Sequence, residues 1–559
     1  MFERRIRHIQ RYREIAISFT RNGFGFLVKE LGLHEILSLP KRIFVKNRQE
    51  VHKKTTGERI RLFLEDLGPT FVKIGQIAST RPDIIPEDII HELEKLQSQA
   101  SPLSYEEVKV SVEEEFGAPL EEIFLEFREV PLGSASIGQV HYGVLKSGEQ
   151  VAVKVQRPNI ENIIKTDLEI LQTLAVLAEI RLEWAARYQV TAIIEEFSKS
   201  LLAELDYRVE GRNADKMAKQ FEDKRHIRIP EVFWDYTTKK VLTMEYVEGT
   251  KLNDIEVLRE EGYDLKVFSN RIANAIFHQI LIEGFFHGDP HPGNISVLPG
   301  EVIVLMDFGM VGRLTSDMKD NFASLVIALM RQSTDGVVKA IMRMGLVPDE
   351  VHMQRLRLDV EELREKYYDI PFSEVSIGEA VKDLFSVANQ HQIRIPADLT
   401  LMGKTLLTME GLVERLDPDI SIIKIAEPFG HRLLRERYRP KNVAENVLNQ
   451  WQEYGEILID IPRNIQELTG MLKKGKLPLE ISTPKIELFL TKLDRISNRL
   501  SFSIVLLAFS IIMVGLIIGS AIRGQSSLLW NVPAVEIGFV VALLMFLWLL
   551  FSIFRSGRF

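Results

Sequence analysis

Residues 287 to 309 read HGDPHPGNISVLPGEVIVLMDFG. Two apolar, β-branched runs, NISVL and EVIVLMDF, flank Pro299-Gly300, the composition of a strand hairpin closed by a tight turn. The chemistry lies at its ends. Asp289, Asn294 and Asp307 stand at relative positions 0, +5 and +18, so loops beside strand ends supply two carboxylates and an amide oxygen. Hard oxygen donors of that kind suit Mg²⁺ better than zinc. A competing ligand set, His287, Asp289 and His291 at i, i+2 and i+4, leaves Asn294 and the turn Asp307-Phe308-Gly309 without a purpose. Either acidic residue taken alone reads as a turn cap.

Upstream the pattern is also strand and turn. IFLEFREVPLGSASIGQVHYGVL starts at Ile123, the turn Lys146-Ser147-Gly148-Glu149 follows, and then QVAVKVQ. The spacing Gly133-x-Ala135-x-x-Gly138-x-Val140 makes a small-residue loop between strands, where backbone N–H groups approach phosphate oxygens without side-chain interference. Lys154 falls inside the strand that pairs with it, and a lysine in an apolar strand needs an ion-pair partner or a phosphate. KKVLTMEYV adds a strand, a helix is expected at about 266 to 284, and the chain from Ser316 to about 470 reads as mostly helical. Sheet followed by helix gives an α+β fold with two lobes and a cleft between them. Before the sheet, Gly68-Pro69 opens a helix to about Thr80 with Lys73 and Gln76 on one face. An acidic helix at about 86 to 97 and another from Ser104 follow.

The chain has 559 residues, 46% hydrophobic and 26% charged, which excludes disordered and collagenous classes. No cysteine is present, which excludes disulfides, thiolate catalysis and cysteine-ligated metals. The net charge is -8, so nucleic acid is not an expected partner. That charge is unevenly spread: residues 1–61 hold 15 Lys or Arg against 6 Glu, a balance of +9, leaving -17 for the rest. Arg4, Arg5, Arg7, Arg11 and Arg13 interleave with Phe2, Ile6, Ile9, Ile15 and Phe19. Such amphipathic helices fit either an anionic membrane lipid surface or an acidic face of the protein itself.

At the other end, FSIVLLAFSIIMVGLIIGSA (502–521) and VEIGFVVALLMFLWLLFSIF (535–554) are each long enough to cross a bilayer as a helix. Lys492, Arg495, Arg499, Arg555 and Arg558 flank them, against Arg523 alone in the loop between. The expectation is a transmembrane hairpin with the body and both termini cytoplasmic.

Together these motifs resemble the protein-kinase-like fold, and specifically the UbiB/ABC1/ADCK family of atypical kinases, over roughly residues 60 to 480. LGPTFVKIGQ holds the family's K-x-G-Q signature as Lys73, Gly75 and Gln76, and Glu204 and Asp206 are its E-x-D signature. The resemblance implies ATP and Mg²⁺ as cofactors. It places Gly133, Ser134, Ala135, Ser136, Gly138 and Val140 over the nucleotide, Lys154 on its phosphates and Glu210 as the partner that orients Lys154. It puts Asn294 and Asp307 on the metal, Asp289 at the catalytic-base position, and the backbone around Glu245 and Val247 on the adenine. Lys73 and Gln76 belong to a helix that reaches across the cleft, with Lys73 paired to Glu204 or Asp206. On one continuous helix Glu210 would lie about 240° around from Glu204, so the two need not share a face.

The implied organisation is a basic segment (1–61), a helical extension (62–122), a kinase-like N-lobe (123–249), a helical C-lobe (250–480) and the two apolar spans. Ala135 stands where ordinary kinases have glycine, and His-Gly-Asp replaces His-Arg-Asp. MVGRLTSDMKDNF leaves no room for a long activation segment, which counts against a protein Ser/Thr kinase. The resemblance instead implies ATP hydrolysis or phosphoryl transfer to a quinone precursor or other isoprenoid lipid in support of ubiquinone-like biosynthesis. The alternative is a nucleotide-gated scaffold or chaperone for membrane-associated biosynthetic enzymes.

Overall fold

A computed structural model describes residues 2–32, 54–82, 84–96, 102–331, 333–345, 347, 351–367 and 376–437, with scattered helical positions between 504 and 544. The chain divides into two units, Met1–Val447 and Leu448–Phe559, and everything described below lies in the first.

Strands β1 (Phe124–Phe127), β2 (Gly133–Ser134), β3 (Gly138–Leu145), β4 (Gln150–Gln156) and β6 (Val241–Glu245) form an antiparallel sheet in which β3 and β4 are central. The strand period of two sorts its faces. Val151, Val153 and Val155 point one way and are essentially buried, while Ala152 and Lys154 between them are only partly so. The valine face is covered by α4 (Tyr105–Phe116), whose Val108 and Val112 are fully buried against it. Ser104 caps that helix in a capping box with Glu107, the signature expected at a helix start. The lysine face is left to the cleft.

The second sheet joins β5 (Ile227–Arg228), β10 (Val302–Leu305), β9 (Ile295–Leu298) and β7 (Thr250–Lys251) in that order. The hairpin read from the sequence is β9–β10, with Ile295 opposite Leu305. A ribbon of β8 (Phe285–His287) and β11 (Val311–Arg313) brackets it. Helix α8 (Leu265–Phe277) continues into a π-helical turn, His278–Glu283, just before β8. Helices Ser316–Met330, Thr334–Met344, Met353–Lys366, Ile377–Gln390, Ala397–Leu416 and Ile422–Arg437 follow.

The extension packs on this body. Helices α1 (Phe2–Arg21), α2 (Thr56–Leu67) and α3 (Pro69–Ala78) precede the sheet, and α5 (Ile160–Arg181), α6 (Val190–Ala203) and α7 (Tyr207–Lys219) lie between β4 and β5. Arg11 of α1 holds Asp167 of α5 at 2.7 and 3.0 Å and the Leu67 carbonyl at 2.6 Å. Asp167 is buried, so this pair ties α1 to α5, while the bond to Leu67 ties it to the turn that starts α3. Part of the basic charge of the first segment is therefore spent on the protein itself.

The expected transmembrane hairpin is corrected. Among the described residues no helix is long and apolar enough to cross a membrane. The helices of sufficient length, such as α5 and Ala397–Leu416, carry charged residues along them, and a span needs about 20 predominantly apolar residues. Residues 502–521 and 535–554 fall mostly outside the described residues. The multi-pass membrane localisation that rested on them is withdrawn with the hairpin.

Candidate active site

The cleft-facing lysine is positioned by register. Lys154 lies opposite Val140 on β3 and Leu242 on β6, which fixes its side chain on the cleft side of the sheet. Its ammonium donates to both carboxylate oxygens of Glu210 at 2.8 Å. Burial opposes its charge, but Glu210 and Asp307 outweigh that cost and raise its pKa. Burial pushes the Glu210 carboxyl upward, with Lys154 opposing it. The two-oxygen geometry favours the charged pair.

Glu210 reaches Lys154 because the helical stretch around it is broken. Helix α6 ends at Ala203 with Glu204 as its C-cap, and α7 begins at Tyr207 with Asp206 as its N-cap, accepting from Arg208 N–H at 3.1 Å. The expectation of one helix through Glu204 and Glu210 is therefore wrong, and the 240° separation does not apply. Aspartate is a preferred N-cap, and that preference is the signal in the sequence for the break. After the break both glutamates serve the cleft: Glu204 accepts from Lys73 at 2.7 Å. Asp206 does not meet Lys73. It caps α7 and forms a two-pronged pair with Arg208 at 2.8 Å.

The K-x-G-Q signature has a packing logic. Lys73 crosses to Glu204, and burial of its ammonium is outweighed by Glu204 and Asp307, so its pKa is raised. Gly75 lets α3 approach its neighbours: a Cβ there would sit 2.3 Å from Leu96 and 2.8 Å from Leu64. Gln76 donates to the Leu96 carbonyl at 3.0 Å. Lysine reaches the site, and glycine and glutamine seat the helix that carries it.

The small-residue loop is tied down at both ends. Ala135 N–H donates to Gly138 at 2.8 Å, and Arg157, just past β4, donates to the Ala135 carbonyl at 3.1 Å and the Ser134 hydroxyl at 2.9 Å. Gly133 pairs with Val140, and Ser136 is buried. Beneath Gly138 lies Tyr207, whose hydroxyl would be 2.2 Å from any Cβ at that position. Its ring is 5.2 Å from the Lys154 ammonium. Close approach, not backbone conformation, makes Gly138 necessary.

On the opposite side, the β9–β10 hairpin brings the oxygen donors together. Met306 N–H donates to the Asn294 carbonyl at 2.9 Å, which sets Asp307 beside Asn294. The Asn294 amide donates to the Asp289 carbonyl at 3.2 Å, leaving its oxygen available. Asp307 opens on the cleft, accepts from Gly309 N–H at 3.2 Å, and is held below the usual carboxylate range chiefly by Lys154, against burial and with help from Lys73. His287 spends both ring nitrogens on the loop, on the Met306 carbonyl at 2.9 Å and Asp289 N–H at 3.1 Å. Its N–H donates to Gln279 of the π-helical turn at 3.1 Å. Thr405 donates to the Gly288 carbonyl at 3.2 Å. Among the described residues no cluster of three or more His, Asp or Glu forms a metal site, so the His287–Asp289–His291 set does not assemble.

In the hinge, Glu245 N–H is already given to the Glu231 carbonyl at 2.8 Å, and the Glu245 side chain is paired with Arg228. That N–H is not on offer to a base. Val247 lies two residues further along the same connection.

A sheet that carries Lys154, a helix that carries Glu210 and a hairpin that carries Asp307, arranged about one cleft, make this fold kinase-like. Three family descriptions match: ABC1 atypical kinase-like domain over residues 95–341, UbiB helical domain over 360–421, and ABC1/UbiB kinase-like C-terminal domain over 484–555. A probable protein kinase UbiB of Pseudomonas aeruginosa is 35% identical over 454 residues, covering 80% of this chain and 83% of its own. An uncharacterized protein from the hydrogenase 1 5' region of Clostridium pasteurianum is 30% identical over 553 residues, covering 98% and 99%. A solved structure of an Rv3197–erythromycin complex from Mycobacterium tuberculosis is more distant, 24% identical with a TM-score of 0.46, covering 63% of this chain and 90% of that one. The chain belongs to the UbiB/ABC1/ADCK family of atypical kinases.

Proposed function

We propose that the cleft binds Mg-ATP and either hydrolyses it or passes its terminal phosphoryl group to a small acceptor of the isoprenoid quinone or lipid class. The observation that carries this reading is the Lys154–Glu210 pair at 2.8 Å facing the depressed carboxylate of Asp307. A lysine held charged in that place neutralises phosphate oxygens, and the tied-down loop offers them backbone N–H groups. Asp307 and the free oxygen of Asn294 fit a small hard cation. When bound, Mg²⁺ would spread the charge that develops on the transferred phosphoryl group. Asp289, half-buried beside Asn294, would orient the attacking hydroxyl or water. Lys73, locked to Glu204 across the cleft, restricts access by a peptide, which supports a small acceptor over a protein one. The link to quinone biosynthesis rests on the family.

Binding of ATP to the wild type and to Asp307→Asn, titrated across Mg²⁺ concentrations, tests the reading. The Mg²⁺-dependent part of affinity is expected to fall most. Equal affinity at every Mg²⁺ concentration would refute the metal role.

A further inference from the structure

In protein kinases the metal-binding aspartate is brought into place through the activation segment, which phosphorylation orders. Here helix Ser316–Met330 begins shortly after Gly309, so that control has no substrate. Yet Asp307 holds a φ of 59°, a left-handed conformation that costs a residue with a Cβ even where, as here, a bond from Gly309 N–H within the turn helps it. Something else must hold the turn.

Asn213 does so geometrically. It lies on α7 three residues after Glu210, so the two share a helix face, and it is 4% exposed. Its amide nitrogen donates to the Phe308 carbonyl at 3.0 Å, and its oxygen takes a longer contact of 3.5 Å from Arg313 on β11. Only the NH₂ end of an amide can donate to a carbonyl, so this orientation is set by the partners. One end grips the Phe308–Gly309 peptide, one residue beyond Asp307, and the other reaches the strand that leads away from the turn.

We propose that Asn213 is a positioning residue that locks the Asp307-Phe308-Gly309 turn, so that the helix that sets Lys154 through Glu210 also aims Asp307 without any phosphorylated segment. The proposal rests on the Mg-ATP reading for its consequence, but not for the lock itself. The bland reading is a buried amide that merely satisfies its neighbours. The two readings differ in what a variant does to Asp307.

Asn213→Leu removes the donor at similar size, and Asn213→Asp keeps the shape but sets an acceptor against the Phe308 carbonyl. Two quantities are read: the Mg²⁺ concentration at half-maximal ATP binding, and amide hydrogen exchange of residues 306–310 in the ligand-free protein. The lock predicts a midpoint raised about tenfold, the scale of one lost hydrogen bond, with binding recovered at saturating Mg²⁺ and faster exchange confined to 306–310. An unchanged midpoint with unchanged exchange overturns it, and so does a uniform rise in exchange with binding lost at all Mg²⁺ concentrations. If the wild type binds no Mg-ATP, the function reading fails, and exchange at 306–310 still decides the lock. Should neither Asn213 variant fold, Arg313→Met carries the test: a smaller shift in the same direction supports the lock, and none overturns it.

Discussion

Replacing Lys73 by Met keeps most of the aliphatic stem and removes the ammonium. The structure sets the size of the effect. Lys73 and Glu204 are 2.7 Å apart with side chains 22% and 13% exposed. At an effective dielectric near 20 their attraction is about 6 kcal/mol, most of which repays the desolvation of two partly buried charges. The loss on substitution is chiefly the cost of leaving Glu204 unpaired, about 2–3 kcal/mol once the ~3–5 kcal/mol of a fully buried pair is reduced for partial exposure. Adding Glu204→Gln removes that stranded charge, so the double variant is expected to recover a good part of the stability. Thermal and denaturant unfolding of the two single variants and the double variant give the coupling directly. Function is read separately, with ATP binding and with self- and peptide phosphorylation. ATP binding is expected to persist, and phosphorylation to rise because the strap no longer closes the cleft. A Lys73→Met protein matching wild type in stability and in both assays would reduce Lys73 to a surface residue and remove the argument for a small acceptor.

Glu210→Gln should lower ATP affinity by roughly tenfold, because Lys154 loses the charge-assisted bonds that hold it; isothermal titration reads this, and an unchanged affinity would mean another group orients Lys154. Gly75→Ala drives a methyl toward Leu96 and Leu64, and a cost of about 1–3 kcal/mol is expected for overpacking of this kind; a variant as stable as wild type in urea would show that α3 shifts freely. Glu161, paired with Lys165 and Lys239 at 2.8 Å, is pulled down to about 2 from 4.5. Its contribution is therefore full above its unfolded pKa and lost as pH falls from there toward 2. Discounted for the partly exposed lysines, it is about 1 kcal/mol, and Glu161→Gln should flatten the stability curve in that window alone.

The cleft was readable where chemistry follows local pattern. Alternating valines around Lys154 imply a strand with a lysine on its other face. Pro299-Gly300 between apolar runs implies the hairpin that juxtaposes Asn294 and Asp307. Around Glu204, periodicity alone runs one helix through Leu205-Asp206, where the capping tendency of Asp206 wins and re-aims the next helix. The basic first segment left two readings open because charge interleaving cannot name a partner, and Asp167, which takes Arg11, is an unremarkable helix residue in the sequence.

By itself, then, the sequence determined the family, the kinase-like order of strands and helices, the strand that carries Lys154 and the hairpin that joins Asn294 to Asp307, since these depend on spacing within one element or one turn. The tertiary structure decided which charges meet: Lys73 with Glu204 and not Asp206, Arg11 with Asp167, Asn213 with the Phe308 carbonyl. Each of these joins elements far apart in the chain, and such a contact is set by how helices end and pack, a quantity that no local periodicity encodes.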